Sequence, residues 1–404
     1  MSAAVLEDLK VVEISAFIAA PLGGMALAQL GADVVRIDQA GGGPDLHRWP
    51  ITESGVSLYW QGLNKAKRSV FLDLRAPEGQ RAAQDLAVEA GIVLTNMPAK
   101  AWLDYEALCR RRPDLIMLSI RGTHDGRAAV DYTVQARTGL PFMTGPARPD
   151  APVNQLLPAW DALCGLTAAF GLLAAERRRR ATGAGQLVEL SLEDVALWTL
   201  GNLGYIAEVQ TLKRQRRAEG NDVYGAFGRD FATLDGRRVM VAALTPRHWS
   251  ALCAATGLGE AFRHLEKALQ ADFTTDTDRW RCRRAIAALL EPWVAGRTLA
   301  DAGRTFDAHR VLWGPYQTVR ELVESDPACS DANPLFARVQ QPGVGTVLTP
   351  GSPLRFVGAD PLPVRPSPVP GEDTRAVIAE RLGLSGAALE SLVSAGVGDR
   401  EGAA

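Results

Sequence analysis

Apolar and polar positions in the first third of the chain switch between two periods. LKVVEIS is an apolar run of strand length, residues 16–31 form a helical stretch of small and apolar side chains opened by Pro21, and ADVVRID returns as a strand. Together they predict a right-handed βαβ unit. The pattern then repeats, with strands over 69–74, 91–96 and 114–121 and helices over 77–90 and around 105–111. Strands alternating with helices build a doubly wound sheet, which holds ligands in the loops at the carboxyl ends of its strands. Residues 15–21, 38–43, 96–100 and 121–126 are therefore expected pocket walls.

Further along, the pattern predicts a helix over 165–180, a TGAGQ turn, the strand LVELSL and a helix around 193–206. The charged stretch KRQRRAEGND then reads as a solvated connection. From Tyr224 the texture changes to a hairpin, FATLDGRRVMVAAL, followed by amphipathic helices at 248–256, 278–295 and 299–308. The Pro/Gly-rich tail has too little periodicity for a core of its own, and it ends in a helix from Thr374. The expected class is thus α/β: a large Rossmann-like domain over 1–210, a smaller α+β domain over 222–322, and an arm over 323–404 returning to the large domain.

Composition narrows the function classes. A chain of 404 residues with 47% hydrophobic content has material for two cores. Its net charge of -2 argues against a nucleic-acid partner, which would need a basic surface. The apolar runs read as too short to cross a bilayer and the start lacks a charged-then-apolar leader, so the expectation is a protein of the cytoplasm with no membrane partner. Five widely spaced cysteines form no paired pattern, and the five histidines lack ligand spacing, so no metal is expected.

Three constellations compete for the chemistry. Asp38 follows the first turn at the distance seen in dinucleotide sites, yet SAFIAAPLGG has no GxGxxG, so a pyrophosphate has no close approach there. The basic set Arg36, Lys65, Lys67, Arg68, Lys100 and Arg121 clusters at predicted strand and loop ends, where a phosphate-bearing nucleotide tail could be held. The third is Asp161, an acid at the head of a long Ala/Leu/Gly helix, where helix-terminal partial charges can keep a partly dehydrated carboxylate ionised and nucleophilic. Its plainer reading is a helix cap.

The start AAPLGGMALAQLGADVVRID, the KRSVFLDL strand, Asn96, the IRG turn at Arg121, DYTVQARTG, Asp161, TGAGQ and the GEDT tail follow one another in an order and spacing that resemble the class III coenzyme A transferases across essentially the full chain. The resemblance implies an interlocked homodimer, each subunit a large Rossmann-like domain joined to a smaller one with the active site between them. It makes Asp161 the nucleophile. It also implies that Ala16, Phe17, Ile18 and Ala19 line the coenzyme loop, that Asn96 and Met97 contact the coenzyme at a strand end, and that Lys100, Arg121 and Tyr132 help hold it. Gln39 stands where several relatives carry a basic residue, and Met97 replaces a common aromatic. YGAFGRD is the segment left to cover the site, since no glycine-rich loop has an evident counterpart.

Coenzyme A would then enter as part of the substrate, with no permanently bound cofactor. SAFIAAPLGGM, HRWP, GLPFMTGP, LPAWD and YGAFGRDFATLDGRRVMV narrow the implied substrate to the thioester of a short unsaturated dicarboxylic acid, with the coenzyme moved between its two carboxylates. The free carboxylate needs a cation, for which Arg48 and Arg229 are the candidates. The alternatives are exchange with a separate acid and an acyl-CoA racemase. The racemase needs a second proton-handling group, a histidine whose matching place is Ala128; His124 lies four positions away.

Overall fold

The apolar runs of the first third become strands of one parallel sheet in the computed structural model, which describes residues 4–98, 100–146 and 151–397. The elements run β1 (Lys10–Ile14), α1 (Ala19–Ala28), β2 (Asp33–Gln39), α2 (Leu58–Leu63), β3 (Arg68–Leu72), α3 (Pro77–Ala90), β4 (Ile92–Thr95), α4 (Tyr105–Arg111), β5 (Ile116–Arg121), α5 (Asp131–Arg137), α6 (Ala159–Thr182), β6 (Gln186–Ser191), α7 (Leu192–Asn202) and α8 (Tyr205–Leu212). The six strands lie in the order β3-β2-β1-β4-β5-β6. Strand order reverses between β1 and β4, so the loops after these two strands flank the crevice where such sheets take ligands.

Helix boundaries depart from the periodicity where local chemistry intervenes. Residues 15–18 form a loop, so α1 begins at Ala19 and Pro21 is its third residue. The last long helix of this unit begins at Ala159, ahead of the expected 165, and ends at Gly183 in the left-handed region with φ 71°. The helix expected around 193–206 breaks at Gly204, whose φ of 83° a helix cannot accommodate, into α7 and α8. Helices α1 and α6 cross at glycines: a Cβ on Gly165 would lie 2.5 Å from the Ala19 carbonyl, and one on Gly23 would lie 2.8 Å from the Gly165 carbonyl. This contact seats the second turn of α6 against the first two turns of α1. The 24-residue α6 is also long and apolar enough, by length and composition, to cross a membrane, against the expectation of short apolar runs. Its apolarity serves a core: Cys164, Ala168 and Leu172 are fully buried.

The chain divides into two compact units. One comprises the residues up to Thr138, Leu156–Lys213 and the chain from Pro327 onward; the other comprises Gly139–Gln155 and Arg214–Asp326. The described residues of this stretch, 139–146 and 151–155, which the pattern places in the large domain, group with the second unit. That unit contains the hairpin β7 (Phe227–Ala232) and β8 (Arg238–Ala243), then α9 (Pro246–Thr256), α10 (Gly259–Leu269), α11 (Asp276–Arg281), α12 (Arg283–Ala295), α13 (Leu299–His309), β9 (Leu312–Pro315) and α14 (Val319–Ser325). Its core is aromatic, with Phe227, Trp249, Phe262, Phe273 and Phe306 buried together. The segment KRQRRAEGND is not wholly solvated, since Ala218 is buried and Glu219 and Asp222 both pair with Arg283.

The tail adds β10 (Phe336–Gln341), β11 (Gly345–Pro350), α15 (Thr374–Leu382) and α16 (Gly386–Val397). The antiparallel pair β10–β11 and α16 are structure that the periodicity did not reveal. The arm is tied to the sheet edge through β3, where the Ser69 and Phe71 amides donate to Asp373 and Thr374 side chains at 2.8 and 3.0 Å.

Candidate active site

Asp161 is the third residue of α6, and it does not cap that helix. The residue before the helix, Pro158, provides no side-chain cap. The cap is supplied from α5: the carboxylate of Asp131 accepts from the Trp160 and Asp161 amides at 2.8 and 3.1 Å. Asp131 is itself only 1% exposed. The Asp161 carboxylate is left half-buried and, among the described residues, accepts no hydrogen bond from the chain. Burial, followed by the neighbouring Asp131 charge, pushes its pKa up to about 6, against a pull from Arg48. One helical turn on, burial and the charge of Asp161 push the Cys164 thiol up to about 12, so it offers no competing thiolate.

Arg48, in the loop before α2, is close enough for its charge to act on this acid. Its guanidinium lies over two rings, 5.6 Å from the centre of Phe17 and 5.1 Å from that of Tyr59. Among the described residues it makes no ion pair at contact distance, and the residue is exposed, which leaves N–H groups for an anion. Ser57 fixes the loop, donating to the Arg48 carbonyl at 2.6 Å while capping α2 through the Trp60 amide at 3.1 Å. The Tyr59 hydroxyl is buried without a hydrogen-bond partner among the described residues, and burial with nearby Asp161 pushes it up to about 12 despite Arg48. No signal in the sequence marks Tyr59, and Asp131 is marked only by lying inside DYTVQARTG.

Phe17 adopts φ 66°, in the left-handed region that a bulky residue occupies only under constraint. The constraint is visible on its N-terminal side. Asn96, at the end of β4, accepts from the Ala16 amide at 2.9 Å and donates back to the Ala16 carbonyl at 2.7 Å, bridging the two loops of the switch point. Its amide is thus occupied by the chain. Ala16 and Ala19 are buried, Ile18 is half-buried, and the exposed member of this loop is Phe17. Met97 is half-buried against the sheet core, whereas Lys100 and Tyr132 are exposed. Gln39 turns to Asp73, donating at 3.1 Å.

The basic set does not form one phosphate site. Arg36 and Lys67 are buried among Glu13, Asp38 and Asp45, their charges answered inside the protein. Lys65 is buried against the Gly62 carbonyl, Arg68 pairs with Asp33 and Glu380, and Arg121 pairs with Glu189. Lys100 has no such partner among the described residues. In the second unit, Arg229 on β7 faces Asp222 at 3.7 Å, so its charge is partly answered already. Ala128 and His124 are both exposed in the loop after β5.

Comparison with known proteins covers nearly the whole chain. The chain is 54% identical over 398 residues to 2-methylfumaryl-CoA isomerase of Chloroflexus aurantiacus, covering 97% of both chains. It is 31% identical over 383 residues to succinyl-CoA:mesaconate CoA-transferase of Haloarcula marismortui, covering 89% of this chain and 91% of that one. The crystal structure of a CAIB/BAIF family protein from Brucella suis superposes with a TM-score of 0.76 at 28% identity, over 94% of this chain and all of that one, 100%. The model of CoA-transferase family III matches residues 6–374, and the chain belongs to that family.

Proposed function

We propose that this protein moves coenzyme A between the two carboxylates of one dicarboxylic acid, converting 2-methylfumaryl-CoA (mesaconyl-C1-CoA) to 3-methylfumaryl-CoA (mesaconyl-C4-CoA). The observation that carries the proposal is Asp161: a carboxylate released from capping duty by Asp131, half-buried, and under the charge of an Arg48 guanidinium that has no ion-pair partner among the described residues. Likeness to the Chloroflexus aurantiacus isomerase supports this choice of substrate.

A carboxylate with a pKa near 6 is ionised at neutral pH and more basic than an ordinary aspartate, which favours attack on a thioester. Asp161 adds to the thioester carbonyl, the coenzyme thiolate leaves, and a mixed anhydride of Asp161 and the acyl group forms. The thiolate then attacks the aspartyl carbonyl, releasing the diacid and leaving an aspartyl-CoA thioester. Attack on that thioester by the other carboxylate of the diacid, followed by the same steps in reverse, places the coenzyme on the opposite end. Arg48 grips whichever carboxylate is not reacting, in bidentate fashion. Backbone N–H groups steady the tetrahedral oxyanions.

The functional species is a homodimer in this proposal. Support comes from exposed apolar side chains on α6, α7 and α8, among them Phe170 at 72%, Trp198 at 69% and Leu212 at 55%. Incubating the purified protein with mesaconyl-CoA alone, then locating the coenzyme by NMR, tests the function: the C4 thioester should appear with no added acceptor acid. Labelled free mesaconate in the medium should stay out of the product. Entry of label at the rate of turnover marks an intermolecular transferase instead.

A further inference from the structure

Beneath the two loops that carry Phe17 and Arg48 lies a buried cluster of charges that the chemistry above does not use. Arg36 on β2 is 1% exposed. Its Nε donates to Asp38 at 2.8 Å and its Nη1 to Asn64 at 3.0 Å. Its Nη2 is shared among Asp38 at 2.9 Å, the two Asp45 oxygens at 3.1 and 2.9 Å, and the Ser15 carbonyl at 3.3 Å. Lys67 completes the cluster, donating to Glu13, Asn64 and the Pro21 carbonyl at 2.9, 2.9 and 2.8 Å. Burial disfavours the charge of Arg36, but Asp38, Asp45 and Glu13 outweigh it and hold the guanidinium well above the ordinary arginine range.

One nitrogen therefore touches both loops. Ser15 leads through Ala16, clamped by Asn96, into Phe17 in its left-handed conformation. Asp45 begins the turn in which its carbonyl accepts from the Arg48 amide at 3.2 Å. The tips of the two loops then meet, the Arg48 guanidinium 5.6 Å above the Phe17 ring. A strained backbone persists only where its surroundings over-determine it, and here the supports converge on one guanidinium fork.

We infer that Arg36 is a positioning residue that holds Phe17 and Arg48 in register, so that the Arg48 guanidinium meets the free carboxylate of the acid while the other end sits at Asp161. The inference rests on the proposed role of Arg48 as carboxylate partner. Arg36 touches no reacting atom. Its influence on the reaction passes through the Ser15 carbonyl and the Asp45 carboxylate.

The test uses the full-length protein and the variants Arg36→Lys, Asp45→Asn and their combination. Lysine keeps the charge but lacks a fork able to reach Asp38, Asp45 and Ser15 together. Three quantities are read: isomerisation kinetics with mesaconyl-CoA, the affinity for coenzyme A alone, and hydroxylamine trapping of the Asp161 acyl group from mesaconyl-CoA against crotonyl-CoA, which lacks the second carboxylate. Loss of a hydrogen bond to a charged group predicts a fall of about tenfold or more in kcat/KM for the diacid thioester. Coenzyme A affinity and trapping from crotonyl-CoA should be unchanged, and the double variant should be little worse than either single one because both break the same link.

A purely structural role would lower trapping from both thioesters together, and that result overturns the inference. So does wild-type discrimination between the two thioesters in folded Arg36→Lys. Should Arg36→Lys fail to fold, Asp45→Asn decides by the same comparison. Failure of the isomerase reading is seen separately, as entry of labelled mesaconate with the wild type, and the trapping comparison still reports on Arg36 in that case.

Discussion

Replacing Asp161 with asparagine should abolish turnover and at the same time stabilise the protein at neutral pH. Burial, with the Asp131 charge second, raises the pKa of this acid from 3.8 to about 6, Arg48 opposing. A rise of about two units corresponds to about 3 kcal/mol of preference for the protonated form. For a raised acid the sign runs against stability as pH increases: below 3.8 both folded and unfolded states hold the proton and nothing is lost. The penalty then accumulates through the interval up to about 6 and is constant above it. Asparagine cannot ionise and avoids the penalty. With solvent reaching the half-buried face, the expected gain is about 1 to 3 kcal/mol at pH 7.5, with about half of that at pH 5. For a chain of this length the upper value is about 3 to 4 °C in Tm. Thermal and urea unfolding at the two pH values measure the gain, while kcat/KM of the wild type should fall about tenfold per pH unit below the pKa. An asparagine variant no more stable than wild type at pH 7.5, or equally stabilised at both pH values, would refute the account of a strained, ionised nucleophile.

Asp131→Asn keeps an oxygen for the α6 amides but removes a charge, so the acid limb of the pH–rate profile should move below 6, whereas Asp131→Ala uncaps the helix and should cost about 1–2 kcal/mol in urea unfolding. Lys100→Ala should raise KM for the thioester severalfold with little change in kcat, because a phosphate contact far from the carbonyl binds ground and transition states alike; Arg121→Ala should do less, since Glu189 already answers that charge. Gly165→Ala places a methyl 2.5 Å from the Ala19 carbonyl, and the resulting separation of α1 from α6 should cost about 1–3 kcal/mol in the same unfolding assay.

The parallel sheet could be read because strands buried on both faces are continuous apolar runs, and the runs at β1, β2, β4 and β5 have few competing interpretations. The helices were less legible wherever their ends depend on distant partners. LPAW offers no Ser, Thr, Asp or Asn at the residue before α6, so periodicity alone starts this helix too late; its cap comes from Asp131, on another helix. The basic set was misread for a related reason. A row of Arg and Lys at strand ends suggests phosphate until the register is known, and the register pairs Arg36 with Glu13 across β1 and β2. Part of this was accessible, since Arg36 and Asp38 are two apart on one strand and so share a face.

The site itself divides along the same line. Asp161 and Arg48 are candidates that short motifs suggest, because each carries its proposed chemistry in its own side chain. What makes them usable does not appear in those motifs. A nucleophilic carboxylate at the start of a helix faces a conflict, because the amides that would stabilise its charge would also occupy its lone pairs and lower its basicity. The fold resolves this by assigning the amides to Asp131, whose negative charge then raises the basicity of Asp161 further. Arg48 faces the complementary conflict, since an unpaired guanidinium would collapse onto the nearest acid. Its placement over the faces of Phe17 and Tyr59 gives the cation a partner that leaves its N–H edge unoccupied. Both solutions use residues outside the short motifs that carry Asp161 and Arg48, and under the proposed function both leave the two groups free for the ends of a dicarboxylate.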